Sequence, residues 1–452
     1  MRLRNLTRRL EIGANSYLLE SGDYRMVIDS GAHPKGEGRD ALPNFESVPQ
    51  DSVDTVLLSH AHHDHIGSLP VLQRAHPKAR VYMTEFTGEV GKAMLHNSVN
   101  VMTKQRQELN IMDYPFFTHR ELDEVHRQWT YVKLQKPFEL DDSDIVCTFH
   151  DAGHIVGSVG IQINEVGKSL LYTGDVNFEA QTLSMPADLP TKGIDVLVME
   201  TTRGDFQRDP EYTRKSEKEK LAAVINDTFK AGGSVLIPVF ALGKTQEVML
   251  MMHELHQLDL IPNMPLFIGG LSTKVTVLHD QYADKTRRSY PGFRLLEDID
   301  ILVASTGKRK KEIAYQSGCI YALSSGMMSE HTTSNVFAQK FLSNPRNTIA
   351  FVGYTDPLSP GYKVRHAKPG DKVQLDSKQP PVKVEARVES FDFSAHATRE
   401  SLLNYAVKLQ PKKILLVHGD EPAQLWFQQS LQTQLPSAEV IRPFPGEWID
   451  LW

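Results

Sequence analysis

The chain has 452 residues, a net charge of −6 and a hydrophobic content of 40%, which together indicate a globular protein of two or three domains. The charge argues against a protein coated in basic side chains, although a local groove for nucleic acid needs only a few lysines and arginines. Two cysteines exclude a disulfide framework, no apolar run could span a membrane, and the basic start lacks the apolar core of a signal peptide, so we expect a cytoplasmic protein with no membrane contact.

The first predicted elements are two short strands at residues 15–20 and 24–29, joined by Ser-Gly-Asp, a hairpin signal. The second strand ends in Asp29. An aspartate in this position is either a turn former or an acceptor that orients a metal-bound histidine, and the sequence leaves both readings open.

A histidine-rich segment follows the next predicted strand, residues 53–58. Residues 59–67 read Ser-His-Ala-His-His-Asp-His-Ile-Gly, with four histidines and one aspartate in six positions. A terminal tag or a solvated loop would not explain why the segment begins where an apolar strand ends. The segment therefore predicts a metal site.

The spacing of these residues predicts two adjacent metal positions. Side chains alternate along an extended chain, so His60 and His62 point the same way and can hold one metal. Asp64 and His65 follow where a helical pattern begins and would hold a second metal. Imidazole and carboxylate ligands without cysteine suit zinc, and manganese or iron are also compatible with them.

A glycine-bounded loop at residues 150–158 offers a third ligand for the first metal. It contains His150 and His154, and we choose His154 because the flanking glycines let the backbone approach a metal closely. The elements predicted around this loop are a strand at 80–83, a mostly helical segment at 84–129, and strands at 145–149 and 159–163.

Two later apolar strands also end in acids, Asp175 and Glu200. Asp175 can bridge two metals through its two oxygens. Because Asp29, Asp175 and Glu200 each end an apolar strand, we expect all three at one edge of a sheet, where active-site loops gather.

The pattern changes after Asp205, where an amphipathic helix at 216–230 begins an alternation of strands and helices that is typical of a parallel α/β unit. We predict a second domain at residues 206–390, inserted into a first domain formed by 1–205 and 391–452. His418 ends an apolar strand as the acids do, which assigns the last section to the first domain's sheet. The predicted elements are strands at 234–239, 265–269, 320–323, 348–353 and 413–417, and helices at 244–258, 333–342 and 399–409.

The motifs, in chain order, resemble the metallo-β-lactamase superfamily, and Glu200, His396 and His418 resemble the additional motifs of the β-CASP nucleases, the branch that includes the pre-mRNA 3′-end endonuclease and ribonuclease J. The resemblance implies an α/β protein with an αββα metallo-β-lactamase core and an inserted parallel α/β β-CASP domain. It also implies two zinc ions, with these ligands: His60, His62 and His154 for one, Asp64, His65 and His418 for the other, and Asp175 between them.

This resemblance implies a zinc-dependent ribonuclease. Two metals lower the pKa of a shared water toward about 7 and clamp the phosphate, so a dizinc-activated hydroxide would attack the phosphodiester. His396 would be the general acid, held protonated and oriented by Glu200; without Glu200 and His418, a core or turn histidine would be the better interpretation. The family's DNA-directed members typically have valine at the position of His418, so histidine there favours RNA.

The sequence departs from the family at two places. Arg203 stands where a tyrosine is usual, and Gly-Gly-Leu-Ser at residues 269–272 replaces an Asp-Ser-Pro segment.

Two basic segments are weaker signals of nucleic-acid binding. Lys-Arg-Lys-Lys at 308–311 is more typical of a solvated loop than of a nucleic-acid patch. Residues 361–366 either form a plain surface turn or place Lys363, Arg365 and His366 on substrate phosphates.

Other functions fit parts of the sequence. These are a hydrolase of a small ester or thioester, a DNA-directed nuclease, and an inactive scaffold subunit of an RNA-processing complex. The long insertion argues against small substrates, and no expected metal ligand is missing, as it would be in a scaffold. The sequence does not decide between internal and 5′ exonucleolytic cleavage, although we favour internal cleavage. It also leaves open whether the protein forms a homodimer.

Overall fold

The computed structural model describes residues 1–299, 303–305 and 315–452. The chain forms two compact units: the first comprises Met1–Ala180, Ser184–Arg208 and Ala395–Trp452, and the second comprises Gln181–Leu183 and Asp209–Ser394. The second unit therefore interrupts the first in sequence. The basic segment at 308–311 lies outside the described residues.

The first unit contains two seven-stranded sheets. In the first sheet the amino-terminal strands pair antiparallel, and the strands from Tyr24–Ile28 onward pair parallel. In spatial order its strands are Trp448–Asp450, Arg2–Asn5, Tyr17–Ser21, Tyr24–Ile28, Thr55–Leu57, Arg80–Met83 and Trp129–Tyr131.

The second sheet brings the end of the chain back beside its middle. The strand Lys413–Val417 pairs parallel with Val196–Glu200, with Val417 opposite Glu200, so the last section of the chain lies in the same sheet as Val196–Glu200. In spatial order its strands are Glu439–Ile441, Lys413–Val417, Val196–Glu200, Lys168–Tyr172, Val159–Glu165, Val146–Asp151 and Phe138–Glu139.

Apolar side chains from the facing surfaces of the two sheets form one core, which includes Leu19 and Ile28 from the first sheet and Phe149 and Ile161 from the second. Helices cover the outer surface of each sheet, so the predicted αββα architecture is confirmed. The helices beside the first sheet are His63–Ile66, Leu69–Ala75, Glu85–Leu109 and His119–Val125, with short 3-10 turns at Gly38–Ala41, Phe45–Ser47 and His126–Gln128; Arg399–Leu409 and Glu421–Gln434 cover the second sheet.

The expectation that three acids lie at one edge of one sheet is wrong. Asp29 ends a strand of the first sheet, whereas Asp175 and Glu200 end strands of the second. The facing sheets still bring them near one another, because the Tyr172 hydroxyl of the second sheet donates a hydrogen bond of 2.8 Å to Asp29 Oδ2. A strand-end pattern shows where a strand stops but not to which sheet it belongs.

The second unit contains a six-stranded parallel sheet, as the alternation of strands and helices predicts. The helix Leu271–Gln281 was not predicted. In spatial order the strands are Val303–Ser305, Leu266–Ile268, Ile320–Leu323, Val235–Pro238, Thr348–Phe351 and Arg387–Ser390; the helices are Arg214–Lys230, Lys244–Gln257, Leu271–Gln281, Thr333–Phe341 and Pro360–Arg365; a small hairpin joins Lys372–Val373 to Val382–Lys383.

Among the described residues, every helix is too short or too polar to cross a bilayer. Both cysteines, Cys147 and Cys319, are buried and form no disulfide.

Gly31 lets the chain after Asp29 pack directly on the histidine-rich segment. A Cβ added at Gly31 would lie 1.7 Å from the Asp64 carbonyl oxygen. We expect Gly31→Ala to lower the free energy of unfolding of the metal-free protein by about 3 kcal/mol, because backbone must move to admit the methyl group. Urea unfolding measures this, and Gly353→Ala is the control, since its Cβ would first meet Lys244 Cε at an ordinary 3.9 Å. Equal stability of the two variants would contradict the prediction.

Candidate metal centre

The histidine-rich segment leaves the strand Thr55–Leu57 and turns into the short helix His63–Ile66. The end of the neighbouring strand holds this turn, because the Ser30 N–H donates to the His65 carbonyl at 2.8 Å and the Ala32 N–H donates to the His63 carbonyl at 2.9 Å. Two adjacent parallel strand ends therefore fix the position of the segment.

Asp29 accepts hydrogen bonds from several donors around the segment. Its Oδ1 accepts from the Ser59 N–H at 2.7 Å. Its Oδ2 accepts from the Ser59 hydroxyl at 2.8 Å, from the Tyr172 hydroxyl at 2.8 Å and from His65 Nδ1 at 2.7 Å. The contact to Nδ1 leaves His65 Nε2 facing the cluster described below. This is the geometry of an acceptor that orients a metal-binding histidine, a role that stays a prediction.

One group of possible ligands comprises His60, His62, His154 and Asp175. The Nδ1 atom of His62 lies 3.1 Å from His60 Nε2 and 3.1 Å from His154 Nε2. Asp175 Oδ2 lies 3.6 Å from each of the same two Nε2 atoms. His154 donates from Nδ1 to the Ala395 carbonyl at 3.0 Å, so its Nε2 lone pair faces the group.

A second group comprises Asp64, His65 and His418. Asp64 Oδ2 lies 3.3 Å from His418 Nε2 and 3.9 Å from His65 Nε2. Asp175 Oδ1 lies 3.4 Å from His65 Nε2 and 3.0 Å from His418 Nδ1. The two oxygens of Asp175 thus face the two groups, which is the arrangement that a bridging ligand needs.

The donor set fits borderline divalent cations such as Zn²⁺, which take imidazole nitrogen and carboxylate oxygen. His60 and His65 are fully buried, and His154, Asp175 and His418 are nearly so. Neutral imidazole nitrogens and ionised carboxylate oxygens both present lone pairs. When such atoms are buried this close together, they need positive charge between them. The residues present therefore fit a bound metal ion in each group.

The pKa values divide the histidines into two kinds. Burial lowers the pKa of His60 and His154, and neighbouring imidazoles lower it further, so both rings are neutral and can offer a lone pair. Burial also acts to lower the pKa of His418, but Asp175 and Asp64 outweigh it and raise that pKa to about 10. Asp175 and Asp29 likewise raise the pKa of His65. Burial opposes ionisation of Asp64, yet His65 and His418 lower its pKa below the usual range.

Glu200 and His396 form a pair beside the first group. Glu200 is 1% exposed, and its Oε1 accepts a hydrogen bond of 2.7 Å from the Val176 N–H. His396 Nδ1 lies 3.1 Å from both carboxylate oxygens. His396 Nε2 lies 3.9 Å from Asp175 Oδ2, and the side chain is 21% exposed. Asp175, Glu200 and His396 also form a third group of side chains that could hold a metal ion.

Other predicted residues lie outside these groups. His150 contacts the side-chain oxygens of Gln135 at 2.8 Å and Gln162 at 3.0 Å. In the second unit, Lys363 and His366 are exposed, and Arg365 donates to the Gly353 carbonyl and the Ser390 hydroxyl, both at 3.0 Å. Contact of these three residues with substrate remains a prediction.

Sequence reasoning missed several residues that touch the cluster's histidines or Asp29. Among them are Asn15, whose Nδ2 lies 3.2 Å from His65 Nε2; Ser59, whose hydroxyl lies 3.1 Å from His60 Nδ1; Tyr172, which binds Asp29; and Thr202, whose hydroxyl lies 3.0 Å from His418 Nδ1. Ser59 could have been found, because it precedes His60 directly. Tyr172 and Thr202 contact residues that are far from them in the sequence, so no local sequence pattern indicates these contacts.

Three family models match the chain. Residues 10–228 match the model described as Metallo-beta-lactamase superfamily, residues 245–364 match the Beta-Casp domain, and residues 381–443 match the Zn-dependent metallo-hydrolase RNA specificity domain.

Similar proteins cover nearly the whole chain. Transcription termination factor FttA of Methanocaldococcus jannaschii is 28% identical over 93% of this chain and 67% of its own length. Endoribonuclease YSH1 of Eremothecium gossypii is 27% identical over 91% of this chain and 54% of its own length. Cleavage and polyadenylation specificity factor subunit 3 of Dictyostelium discoideum is 26% identical over 96% of this chain and 55% of its own length. The chain thus spans about half to two thirds of the length of these relatives.

A solved structure has the same fold. It is a protein of unknown function from Enterococcus faecalis V583, which is 14% identical, covers 99% of both chains and superimposes with a TM-score of 0.60.

We expect Asp29→Ala to weaken zinc binding by about 10- to 100-fold, because His65 loses the acceptor that fixes its ring. Competition with a chromogenic chelator measures the affinity. Asp54→Ala is the matched control, since Asp54 also accepts a backbone N–H, from Arg25, but touches none of the histidines. Unchanged affinity in Asp29→Ala would refute the orienting role.

We also expect metal binding to release protons, because His418 and His65 must become neutral before they can donate a lone pair. The pKa of His418 is raised from 6.5 to about 10, so its protonated form stabilises the cation-free protein fully below pH 6.5, and this contribution is lost as the pH rises through about 10. Metal affinity should rise with pH as long as His418 is protonated, that is, up to about pH 10. Calorimetry in buffers of different ionisation enthalpy measures the released protons, whose number should fall in His418→Ala; binding without proton release would contradict the assignment.

Proposed function

The chain belongs to the β-CASP branch of the metallo-β-lactamase superfamily, and from this premise we propose that it is a metal-dependent ribonuclease that hydrolyses RNA phosphodiester bonds. The observation that carries the proposal is the pair of ligand groups that share Asp175 beside the Glu200 and His396 pair. The names of the relatives, an endoribonuclease and a cleavage factor, support cleavage within the RNA chain.

Proteins of this superfamily bind divalent metal ions, and we propose two zinc ions for this chain. The Zn-dependent family model supports this metal. The proposed ligands of one ion are His60, His62, His154 and Asp175, and those of the other are Asp64, His65, His418 and Asp175. When bound, such a pair supplies Lewis acidity, a nucleophile at neutral pH and charge neutralisation for the phosphate.

The chain's own residues supply the proton for the leaving oxygen. In this proposal His396 carries a proton on each ring nitrogen. Its Nδ1 proton is held by Glu200, whose carboxylate lies 3.1 Å away, and the Glu200 carboxylate is fixed in turn by the Val176 N–H. The Nε2 proton faces the Asp175 side of the cluster and passes to the departing oxygen, which is the role of a general acid.

Three further points belong to the proposal. The substrate is RNA rather than DNA, which the relatives' names and the RNA specificity model support. Lys363, Arg365 and His366 contact substrate phosphates. The protein is cytoplasmic, and a homodimer stays an open prediction.

We expect end-labelled RNA to be cleaved internally, with a product ladder rather than only terminal nucleotides. A chelator should abolish cleavage and added zinc should restore it. Asp64→Ala should lose activity together with bound metal. His396→Ala should lose about 10²- to 10⁴-fold in kcat while its metal content stays unchanged, which separates a general acid from a metal ligand.

His126→Ala is the matched control for His396→Ala. The His126 side chain is also 21% exposed and also lies beside a glutamate, Glu89, at 3.7 Å. RNA cleavage that survives chelation, or that is lowered equally by both histidine substitutions, would contradict the mechanism. Cleavage of matched DNA at the same rate would contradict the substrate.

A further inference from the structure

The loop after Glu200 carries a half-exposed phenylalanine beside a buried cation. Phe206 is 49% exposed, whereas Arg203 is only 9% exposed. The Arg203 guanidinium lies over the Phe206 ring, 4.7 Å from its centroid. An aromatic ring that is held by an arginine and open to solvent is the feature on which unpaired nucleic-acid bases stack.

Contacts on both sides of Phe206, at Gly204 and at Arg208, hold this loop in place. A Cβ at Gly204 would lie 2.3 Å from the Ala423 carbonyl oxygen, so the backbone is packed tightly there. Arg208 donates to both carboxylate oxygens of Glu179, at 2.7 and 2.8 Å. Single exposed apolar side chains are common and need no explanation. A ring on an anchored loop, however, is positioned before a ligand arrives, which lowers the entropic cost of binding.

The loop begins at the proposed metal centre. Thr202, four residues before Phe206, has its hydroxyl 3.0 Å from His418 Nδ1. Four residues span at most about 14 Å. The ring therefore lies within reach of a nucleotide that flanks a phosphate held at the metal centre.

The charge beside the ring indicates which part of a nucleotide it contacts. Asp205 is exposed and adjacent to Phe206, and a carboxylate there repels phosphate. A base presents a neutral π face that stacks on an aromatic ring whatever its identity.

We propose that Phe206, backed by Arg203, stacks an unpaired base of the RNA next to the scissile phosphate. This inference rests on the proposed ribonuclease function and adds a substrate-binding residue to it.

The test uses the full chain, loaded with zinc, and a short single-stranded RNA of mixed sequence. Phe206→Ala should lower kcat/KM by about 5- to 150-fold, the effect of one lost stacking contact, and Phe206→Trp should restore it. Hydrolysis of methyl 4-nitrophenyl phosphate, a small diester that has no base and carries its only ring on the departing oxygen, should change far less than RNA cleavage in both variants. Phe444→Ala is the matched control, because Phe444 is 50% exposed and also lies beside an arginine, Arg442, at 5.7 Å.

A double-mutant cycle gives a second readout. The substrates are a series of RNAs that each lack one base, at a different position in each RNA. The wild type should cleave slowly the RNA that lacks the stacked base. Phe206→Ala should cleave that RNA as fast as it cleaves the intact RNA. If the wild type cleaves RNA and Phe206→Ala cleaves it equally well, this inference is overturned while the ribonuclease function stands. A wild type that hydrolyses the small diester but not RNA would overturn both.

Discussion

The buried carboxylate of Asp175 is the constraint on which the rest of the site depends. It is 3% exposed and lies within 4 Å of imidazole nitrogens from five histidines: His60, His65, His154, His396 and His418. A carboxylate taken out of water needs compensating positive charge. In the cation-free protein His418 and His65 can supply it as imidazolium, because their pKa values are raised. Metal ions would supply it instead, so protons and metal compete for one set of side chains.

Backbone strain occurs at two strand ends near this carboxylate: at His418, which contacts Asp175, and at Asp29, which contacts His65. Asp29 has φ 59° and His418 has φ 47°, a left-handed conformation that costs of order 1–3 kcal/mol at non-glycine residues. Each contacts a side chain that is distant in sequence, Asp29 that of Tyr172 and His418 that of Thr202. The large core between the two sheets is what lets the fold hold both residues in place. Positive φ values thus occur at one proposed metal ligand, His418, and at Asp29, which contacts another, His65; strained backbone is common at functional sites.

Sequence reasoning predicted the arrangement of residues correctly where short spacing encodes it. The period of two between His60 and His62, the strand ends before Asp175 and Glu200, and the parallel alternation of the second unit are all local patterns. It failed where the information lies in pairing between distant strands. Nothing local shows that Asp29 belongs to a different sheet from Asp175, or that Tyr172 crosses between them. The helix Leu271–Gln281 was missed because it starts directly after Gly-Gly, a pair that predicts a turn.

The proposed metal ligands and the proposed general acid are not independent parts, because short hydrogen bonds connect the segments that carry them. The Val176 N–H, one residue after Asp175, donates to Glu200 at 2.7 Å, and the Val176 carbonyl accepts from the Ala397 N–H, one residue after His396, at 2.7 Å. On the other side of His396, the Ala395 carbonyl accepts from His154 Nδ1 at 3.0 Å. His396 is therefore held on both sides by groups that belong to the proposed ligand set or lie next to it. A displacement of His154 or Asp175 must move the acid as well, so substitutions in the two parts should combine non-additively, as expected for residues in one network.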